Sequence, residues 1–380
     1  MPLSKPIDVE RFRAPLSSDA PAGKNLRADP DGKRLFSALK DLRAEARRIE
    51  KAAEQGEPDA TWGSALPKWC KVRDDALGIL EGTSSDLGVV QFLIEALVRT
   101  DGFEGMAVGF DVASELVAAR WAELFPIPDP EDGPVDPDEE RILPLAQLTG
   151  SESAGLLETA VLNVPLTGNS PADGYGLGHY QLSRSLVGAS SQTLEKASES
   201  RGTVTPEEFD KALAATPPDR IRDWFVAAAA AAERLDALQA AVKAASQGRV
   251  EMPTGRLADL LEQARDVAKH HAAGVVAAVE AAAKEGGPET PGGDVVAFGG
   301  GALAKEPTTR EDAIALLVRA AECFERSDPH SLVGAHIRHS VRLARMSREQ
   351  FYRELLQEEA TLRMLGRFVG LSFEAPDESN

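Results

Sequence analysis

Three histidines lie close together in the C-terminal part of the sequence, His330, His336 and His339, with Cys323 upstream. His336 and His339 are three residues apart, so on a helix they share a face and could bind one metal ion. A zinc site also needs further ligands at a recognisable spacing, and the sequence lacks both a clear fourth ligand and such a spacing. We therefore interpret these histidines as surface or interface residues, and we predict no metal and no cofactor.

A second group that could do chemistry is the glycine run Gly174, Gly176 and Gly178. A dinucleotide-binding loop requires G-x-G-x-x-G between a strand and a helix, and neither this spacing nor a βαβ pattern is present. The sequence also lacks the phosphate-binding loop, the H-E-x-x-H zinc motif and the G-x-S-x-G nucleophile motif. The glycine run is interpreted as a turn, and the sequence predicts a protein that is not an enzyme.

The acidic segment from Asp129 to Glu140 has some of the oxygen ligands that calcium prefers. Its prolines break the alternating register of an EF-hand loop, so we interpret it as a solvated loop. Just before it, Trp121 lies on the apolar stripe of a predicted helix and is expected in the core. Because Phe125 is followed at once by proline, Trp121 and Phe125 also stay candidates for an exposed contact with a partner.

The overall composition excludes several classes of function. The 380 residues carry a formal net charge of −19, which repels nucleic-acid phosphates and anionic lipid headgroups. The two cysteines are far apart, as expected in a reducing compartment. The N-terminus has no apolar core typical of a signal peptide, and the longest apolar stretch, 224–232, is too short to span a bilayer. We expect a cytoplasmic protein that neither binds nucleic acid nor inserts into a membrane.

Helical patterns must position these residues. Apolar side chains recur at steps of three and four over 35–49, 62–80, 87–99, 105–125 and 141–148, with breaks rich in glycine and proline. The segment 160–166 could be a strand, and 168–180 is typical of a loop. Alanine-rich segments at 220–246 and 257–284 predict a helical hairpin. The fold class expected is all-α and multi-domain.

The same patterns predict the domain organisation. We expect an N-terminal helical bundle over 1–150 and a middle helical region with the alanine-rich hairpin over 151–284. The Gly/Pro-rich segment 285–307 predicts a flexible linker. A small helical C-terminal domain over 308–380 follows, with capping residues and short amphipathic helices.

The segment from Trp69 to Leu148 resembles the ImpA-type N-terminal domain of the TssA family of type VI secretion proteins. That family has a Trp-led helix, a Ser-x-Asp-Leu helix start, a G-x-x-G-x-x-x-G stretch, an aromatic-Pro pair after a tryptophan, an acidic Asp-Gly loop and an arginine. Here these elements are Trp69, Ser84-Ser85-Asp86-Leu87, Gly102 with Gly105 and Gly109, Trp121, Phe125-Pro126, Asp132-Gly133 and Arg141. Ser85 stands where the family commonly has Lys, and Phe125 where it has Tyr.

The C-terminal part resembles the short C-terminal domain of one TssA subgroup. The resemblance runs from Thr309 through Phe324 to the segment 327–333, where Asp328 replaces the usual Glu and Leu332 a Pro. It implies a ring-like homo-oligomer formed by this domain. The residues predicted at the oligomer or partner interface are Asp328, Pro329, His330, Ser331, His336, Ile337, Val341, Trp121 and Phe125.

The resemblance implies a structural role in type VI secretion, in which the ring contacts baseplate subunits, the inner tube protein and the contractile sheath and primes or caps tail assembly. A flexible linker would let the ring present several N-terminal arms with avidity. Two alternatives stay open at this point. One is an enzyme with a metal at His330, His336 and His339, and the other is an adaptor or chaperone that binds a single helical client through the alanine-rich hairpin.

Overall fold

The structure is a computed structural model that describes residues 4–55, 57, 61–128, 136–150, 154–168, 174–188, 204–285, 314, 317–319, 321 and 333–346. The chain divides into two compact units, Met1–Glu289 and Thr290–Asn380. Each unit is described by itself.

The described part of the first unit contains helices and their connections and no β-strand, so the all-α fold class is confirmed there. Short 3₁₀ turns occur at Val9–Arg13 and Trp121–Glu123. The α-helices are α1 (Pro30–Glu54), α2 (Trp62–Gly82), α3 (Leu87–Arg120), α4 (Pro137–Thr149), α5 (Glu158–Leu162), α6 (Leu177–Ser185), α7 (Pro206–Ala214), α8 (Pro218–Ala245), α9 (Gly255–His271) and α10 (Ala273–Glu285).

Helix α3 forms the centre of the first unit, because α2, α4, α5 and α8 all pack on it. It consists of two arms, 87–101 and 103–120, joined at Gly102, whose φ of 63° and ψ of −143° lie outside the helical region. The predicted break at this glycine is thus confirmed. Every residue from 87 to 98 is buried, as expected of a helix that is surrounded on all sides.

The two arms of α3 fold back on each other, and the family's glycine spacing explains how. A Cβ atom on Gly105 would lie 2.3 Å from the carbonyl oxygen of Leu97, and one on Gly109 would lie 2.8 Å from Cγ1 of Ile94. Later residues in the second arm therefore meet earlier residues in the first, as in a helical hairpin. Only glycine permits this approach of the backbones.

Helix starts follow the capping chemistry of the sequence. The Asp86 carboxylate caps α3 by accepting a hydrogen bond from the Gly88 N–H, and Thr205 with Glu208 forms a capping box on α7. Pro137 lies in the segment 129–140 that was expected to be a solvated loop, and for residues 137–140 this was wrong. It is the first residue of α4, where its missing N–H would have no partner in any case, and Asp136 caps the helix.

The predicted alanine-rich hairpin is present: α8 packs against α9, and both helices have buried alanines. The second helix is broken at Ala272, whose φ of −136° and ψ of 40° separate α9 from α10. Helix α8 also packs extensively along α3, so the helices on both sides of residue 150 contact each other within one compact unit. The division into domains at residues 150 and 284 stays a prediction.

The strand suggested at 160–166 is wrong. Its first part is the short helix α5, in which Ala160 and Val161 are buried, and Pro165 makes only an isolated bridge to Gly176. A proline has no N–H to donate to a ladder, which explains why no strand forms. Helix α6 begins at Leu177, inside the segment predicted as a loop, and α3 ends at Arg120, earlier than the predicted end near Phe125.

In the second unit, α11 spans Val333–Arg345, and residues 314, 317–319 and 321 are also helical. Ile314 and Ala321 are buried, as expected of the inner face of an amphipathic helix, whereas Leu317 is 41% exposed. The linker predicted at 285–307 lies outside the described residues, apart from residue 285 at the end of α10.

Candidate interaction surfaces

The turn after α3 brings together two distant segments of the family pattern. Phe125 donates its N–H to the Ser85 carbonyl at 3.2 Å and accepts from the Leu87 N–H at 2.8 Å. The Phe125–Pro126 peptide bond is cis, and the Phe125 side chain is half-buried. The aromatic-Pro pair thus lies directly beside the start of α3.

Trp121 belongs to the core of this chain. Its side chain is 6% exposed, and its indole Nε1–H donates to Asp138 Oδ1 at 2.8 Å. The expectation that Trp121 is a core residue is confirmed. Because the indole is enclosed by its own chain, it does not offer a surface contact in this structure.

The buried Asp138 is the centre of a polar cluster that we call the Asp138 cluster, formed by Asp138, Trp121, Arg141 and Arg249. Arg141 donates to Asp138 Oδ1 at 2.6 Å and to the Leu124 carbonyl at 3.0 Å. Arg249 donates through Nε to Asp138 Oδ2 at 3.0 Å from the connection between α8 and α9. The cluster therefore ties α4 to the end of α3 and to the hairpin turn.

The pKa values of the two arginines in this cluster are shifted in opposite directions, one by burial and the other by a hydrogen bond. Loss of solvent lowers the pKa of Arg141, although the Asp138 carboxylate opposes the change. The hydrogen bond that Arg249 donates to the Asp138 carboxylate raises the pKa of Arg249, which lies at the surface. Both guanidinium groups stay charged at neutral pH. The hydrogen bonds of Arg141 to Asp138 and to the Leu124 carbonyl hold α4 against the end of α3 in this chain.

A second buried network lies between α1 and the first arm of α3. The fully buried Glu95 carboxylate accepts from Arg43 Nη2 at 2.6 Å and from Arg47 Nη1 at 3.2 Å. Glu50 accepts from the Trp69 indole at 2.7 Å and from Arg99 Nε at 2.6 Å. Charged residues such as Arg43 and Arg47 are assigned to solvent by a hydrophobic pattern, whereas here both pair with the buried Glu95.

A small cleft of about 110 Å³ lies next to this network. Glu50 and Arg99 in its wall already bind each other, and His179 accepts a hydrogen bond from the Gly176 N–H at 3.2 Å through Nδ1. Burial lowers the pKa of His179. These groups support local structure, and they do not form a nucleophile–base pair or an open metal site.

Three of the four tryptophans donate their indole N–H to an acceptor inside the fold, whereas Trp62 is half-buried and lines this cleft. A half-exposed indole at the rim of a cleft is the kind of residue that contributes strongly to protein contacts. The sequence reading did not select Trp62, because its position at the start of α2 does not distinguish it from a core residue.

The predicted interface residues in the second unit are only partly covered by the structure. Val341 is buried at 6% exposure, Ile337 is half-buried, and both lie on one side of α11. His336 is part of the same helix, and the His339 side chain is exposed. The turn residues Asp328, Pro329, His330 and Ser331 lie outside the described residues.

Two features of the described residues concern metal binding and membrane insertion. Within the described parts of the chain, no three histidine, cysteine or carboxylate side chains are grouped so as to hold a metal ion. Of the helices in those same parts, none combines the length and the apolar character needed to cross a membrane. His330 lies outside the described residues, so the metal site at the three histidines stays a hypothesis.

Comparison with known proteins gives three findings. Residues 13–150 match the family model of the ImpA N-terminal domain of the type VI secretion system. The chain is 27% identical over 362 residues to the type VI secretion system component TssA1 of Pseudomonas aeruginosa, covering 93% of this chain and 96% of that protein. It is also similar, with a TM-score of 0.55 and 20% identity, to the solved N-terminal domain, including the ImpA_N region, of the TssA component from Burkholderia cenocepacia, covering 71% of this chain and 96% of that one.

At 20% identity the structural likeness shows a shared fold, and it agrees with the match of the family model to the helices around α3. Residues 13–150 therefore carry an ImpA-type N-terminal domain of the kind that the type VI secretion system contains. Over nearly the whole length of both chains, the protein is similar to a TssA component of that system.

Proposed function

We propose that this chain is a TssA component of the type VI secretion system, a non-catalytic structural subunit that assembles into a ring-like homo-oligomer in the cytoplasm. In this proposal the C-terminal residues 308–380 form the ring, with Asp328, Pro329, His330, Ser331, His336 and Ile337 at or near its contacts. The first unit contacts baseplate subunits, the inner tube protein and the contractile sheath, and it primes or caps tube and sheath assembly.

The observation that carries the proposal is the end-to-end similarity to a TssA1 component, which includes the C-terminal part as well as the ImpA-type domain. The division of the chain into two compact units supports separate tasks for them. The polar groups in the described first unit are engaged in holding helices together, as in the Asp138 cluster, and this favours a scaffold over an enzyme.

The experiment is an absolute mass measurement by light scattering after gel filtration, on the full chain and on residues 1–289. The shorter chain corresponds to the first compact unit, and circular dichroism checks that it stays helical. A many-fold oligomer that becomes a monomer or dimer on truncation supports the ring. A monomeric full chain would overturn the ring and favour the adaptor that binds a single helical client.

A further inference from the structure

The exposed side of α11 is basic, although the chain as a whole is strongly acidic. Arg338, Arg342 and Arg345 follow each other at steps of four and three, so they lie on one helical face, and all three side chains are exposed. Val341, three residues after Arg338 and four before Arg345, lies at the edge of this face and is buried. The helix contains no aspartate or glutamate, and the exposed His339 lies beside Arg338.

We propose that this arginine face, formed by Arg338, Arg342 and Arg345, binds carboxylates on a neighbouring copy of the chain and makes its assembly sensitive to salt. The inference rests on the proposed function, because it names the contact chemistry of the oligomer. It differs from the contacts predicted from sequence, since the buried Val341 is used within the chain and the basic face is the one exposed.

The use of arginine instead of lysine in this part of the sequence favours a contact with a group that has two acceptor oxygens. The sequence has ten arginines and no lysine after Lys305. A guanidinium group offers five donors in a rigid fork that fits a carboxylate or phosphate with two hydrogen bonds, whereas lysine acts as a point charge. Arg338 and Arg342 also interact within the chain, and a guanidinium engaged on one side keeps donors for a second acceptor.

The net charge of the chain and the small number of arginines on this face favour carboxylates over phosphates as their acceptors. With a net charge of −19, the chain repels a nucleic acid at long range. Three arginines over roughly 10 Å of helix also give fewer phosphate contacts than the six to ten or so of a typical DNA-binding surface. A second copy is the acidic partner that the chain itself supplies, because its own Asp and Glu residues outnumber Lys and Arg by 61 to 42.

The test compares two triple variants of the full chain with the same change in net charge. The first carries Arg338→Gln, Arg342→Gln and Arg345→Gln. The control carries Arg34→Gln, Arg222→Gln and Arg256→Gln, which are surface arginines of the first unit that pair with Asp31, Asp219 and Glu158. Light scattering gives the mass of each protein over a concentration series from about 0.05 to 0.5 M NaCl.

We expect the first variant to need an at least about tenfold higher concentration for half-assembly at low salt, and to lose most of the salt dependence shown by the wild type and the control. A third triple variant, with Arg338→Lys, Arg342→Lys and Arg345→Lys, keeps the charge and should recover the salt dependence and only part of the affinity. Circular dichroism confirms that the helical content is unchanged.

Three results would overturn the inference, each in a different way. If the glutamine variant assembles like the wild type, the arginine face does not contribute to assembly, and the proposed ring is unaffected. If the wild-type chain stays monomeric, both the proposed ring and the proposed arginine contact are wrong. Nucleic acid that copurifies with the wild type and is lost in the glutamine variant assigns the face to phosphates instead of carboxylates.

Discussion

The backbone at Gly105 lies against the carbonyl of Leu97 so closely that a methyl group on Gly105 would stand 2.3 Å from the Leu97 oxygen. This contact joins the two arms of α3. The atom that a Cβ on Gly105 would meet belongs to the backbone, which cannot move aside as a flexible side chain can. The glycine spacing of the ImpA-type pattern is therefore a packing requirement at the centre of the first unit. Gly102 provides the turn between the arms with its positive φ.

Substitution of Gly105 by alanine should force the arms apart and destabilise the first unit by about 3 kcal/mol, because overpacked backbone contacts relax poorly. Urea unfolding followed by tryptophan fluorescence measures this, since all four tryptophans lie in the first unit. The control is Gly78→Ala in α2, where an added Cβ meets nothing within 4 Å. It should stabilise the protein by about 0.5–1 kcal/mol through helix propensity. Equal effects of the two substitutions would contradict the packing argument.

Helix positions and caps could be predicted from sequence because they depend on local rules. The Asp86 cap, the break at Gly102 and the capping box at Thr205 each involve residues within a few positions of one another. The fold of α3 back on itself could not be predicted in this way, since the same glycines would also fit a loop between two unrelated helices. The distance between the arms is a tertiary property.

Replacement of Glu95 by alanine should destabilise the first unit by about 3–5 kcal/mol, because it leaves the half-buried Arg43 and Arg47 without their buried carboxylate. The same fluorescence-detected urea titration measures the change. Glu95→Gln should cost less, since an amide still accepts hydrogen bonds. The matched control is Glu45→Ala, which removes the exposed pair with Lys68 and should cost less than about 1 kcal/mol. A loss at Glu95 no larger than at Glu45 would show that the network does not stabilise the fold.

The hydrogen-bond networks around Glu95 and Asp138 could not be predicted from the sequence. Arg43 and Glu95 are more than fifty residues apart, and a hydrophobic pattern assigns charged residues to solvent. One signal was present, because Glu95 interrupts an otherwise apolar run and Arg43 and Arg47 share a helical face. Trp121 was placed correctly in the core by its stripe, but its bond to Asp138 depends on the distant start of α4.

Stability of the first unit should fall as the pH decreases below about 6.5, and His179 should cause part of this fall. Burial lowers the pKa of His179 in the folded state, so between that pKa and the ordinary value the unfolded chain binds the proton and the folded chain does not. The neutral ring also accepts the Gly176 N–H through Nδ1, and a protonated ring cannot do so. The loss is complete once the pH falls below the folded pKa.

The measurement is the free energy of unfolding from about pH 7 to pH 5 for the wild type and for His179→Asn, whose amide oxygen can accept the same hydrogen bond at every pH. The asparagine variant should show a smaller slope. His271 has its pKa lowered chiefly by burial, against the opposing charge of Asp210, so it contributes in the same direction and the double variant with His271→Asn should be flatter still. Carboxylates with lowered pKa, such as Asp74, act only at more acidic pH and do not enter this window. Identical slopes in the wild type and the His179 variant would mean that this imidazole is not held neutral by the fold.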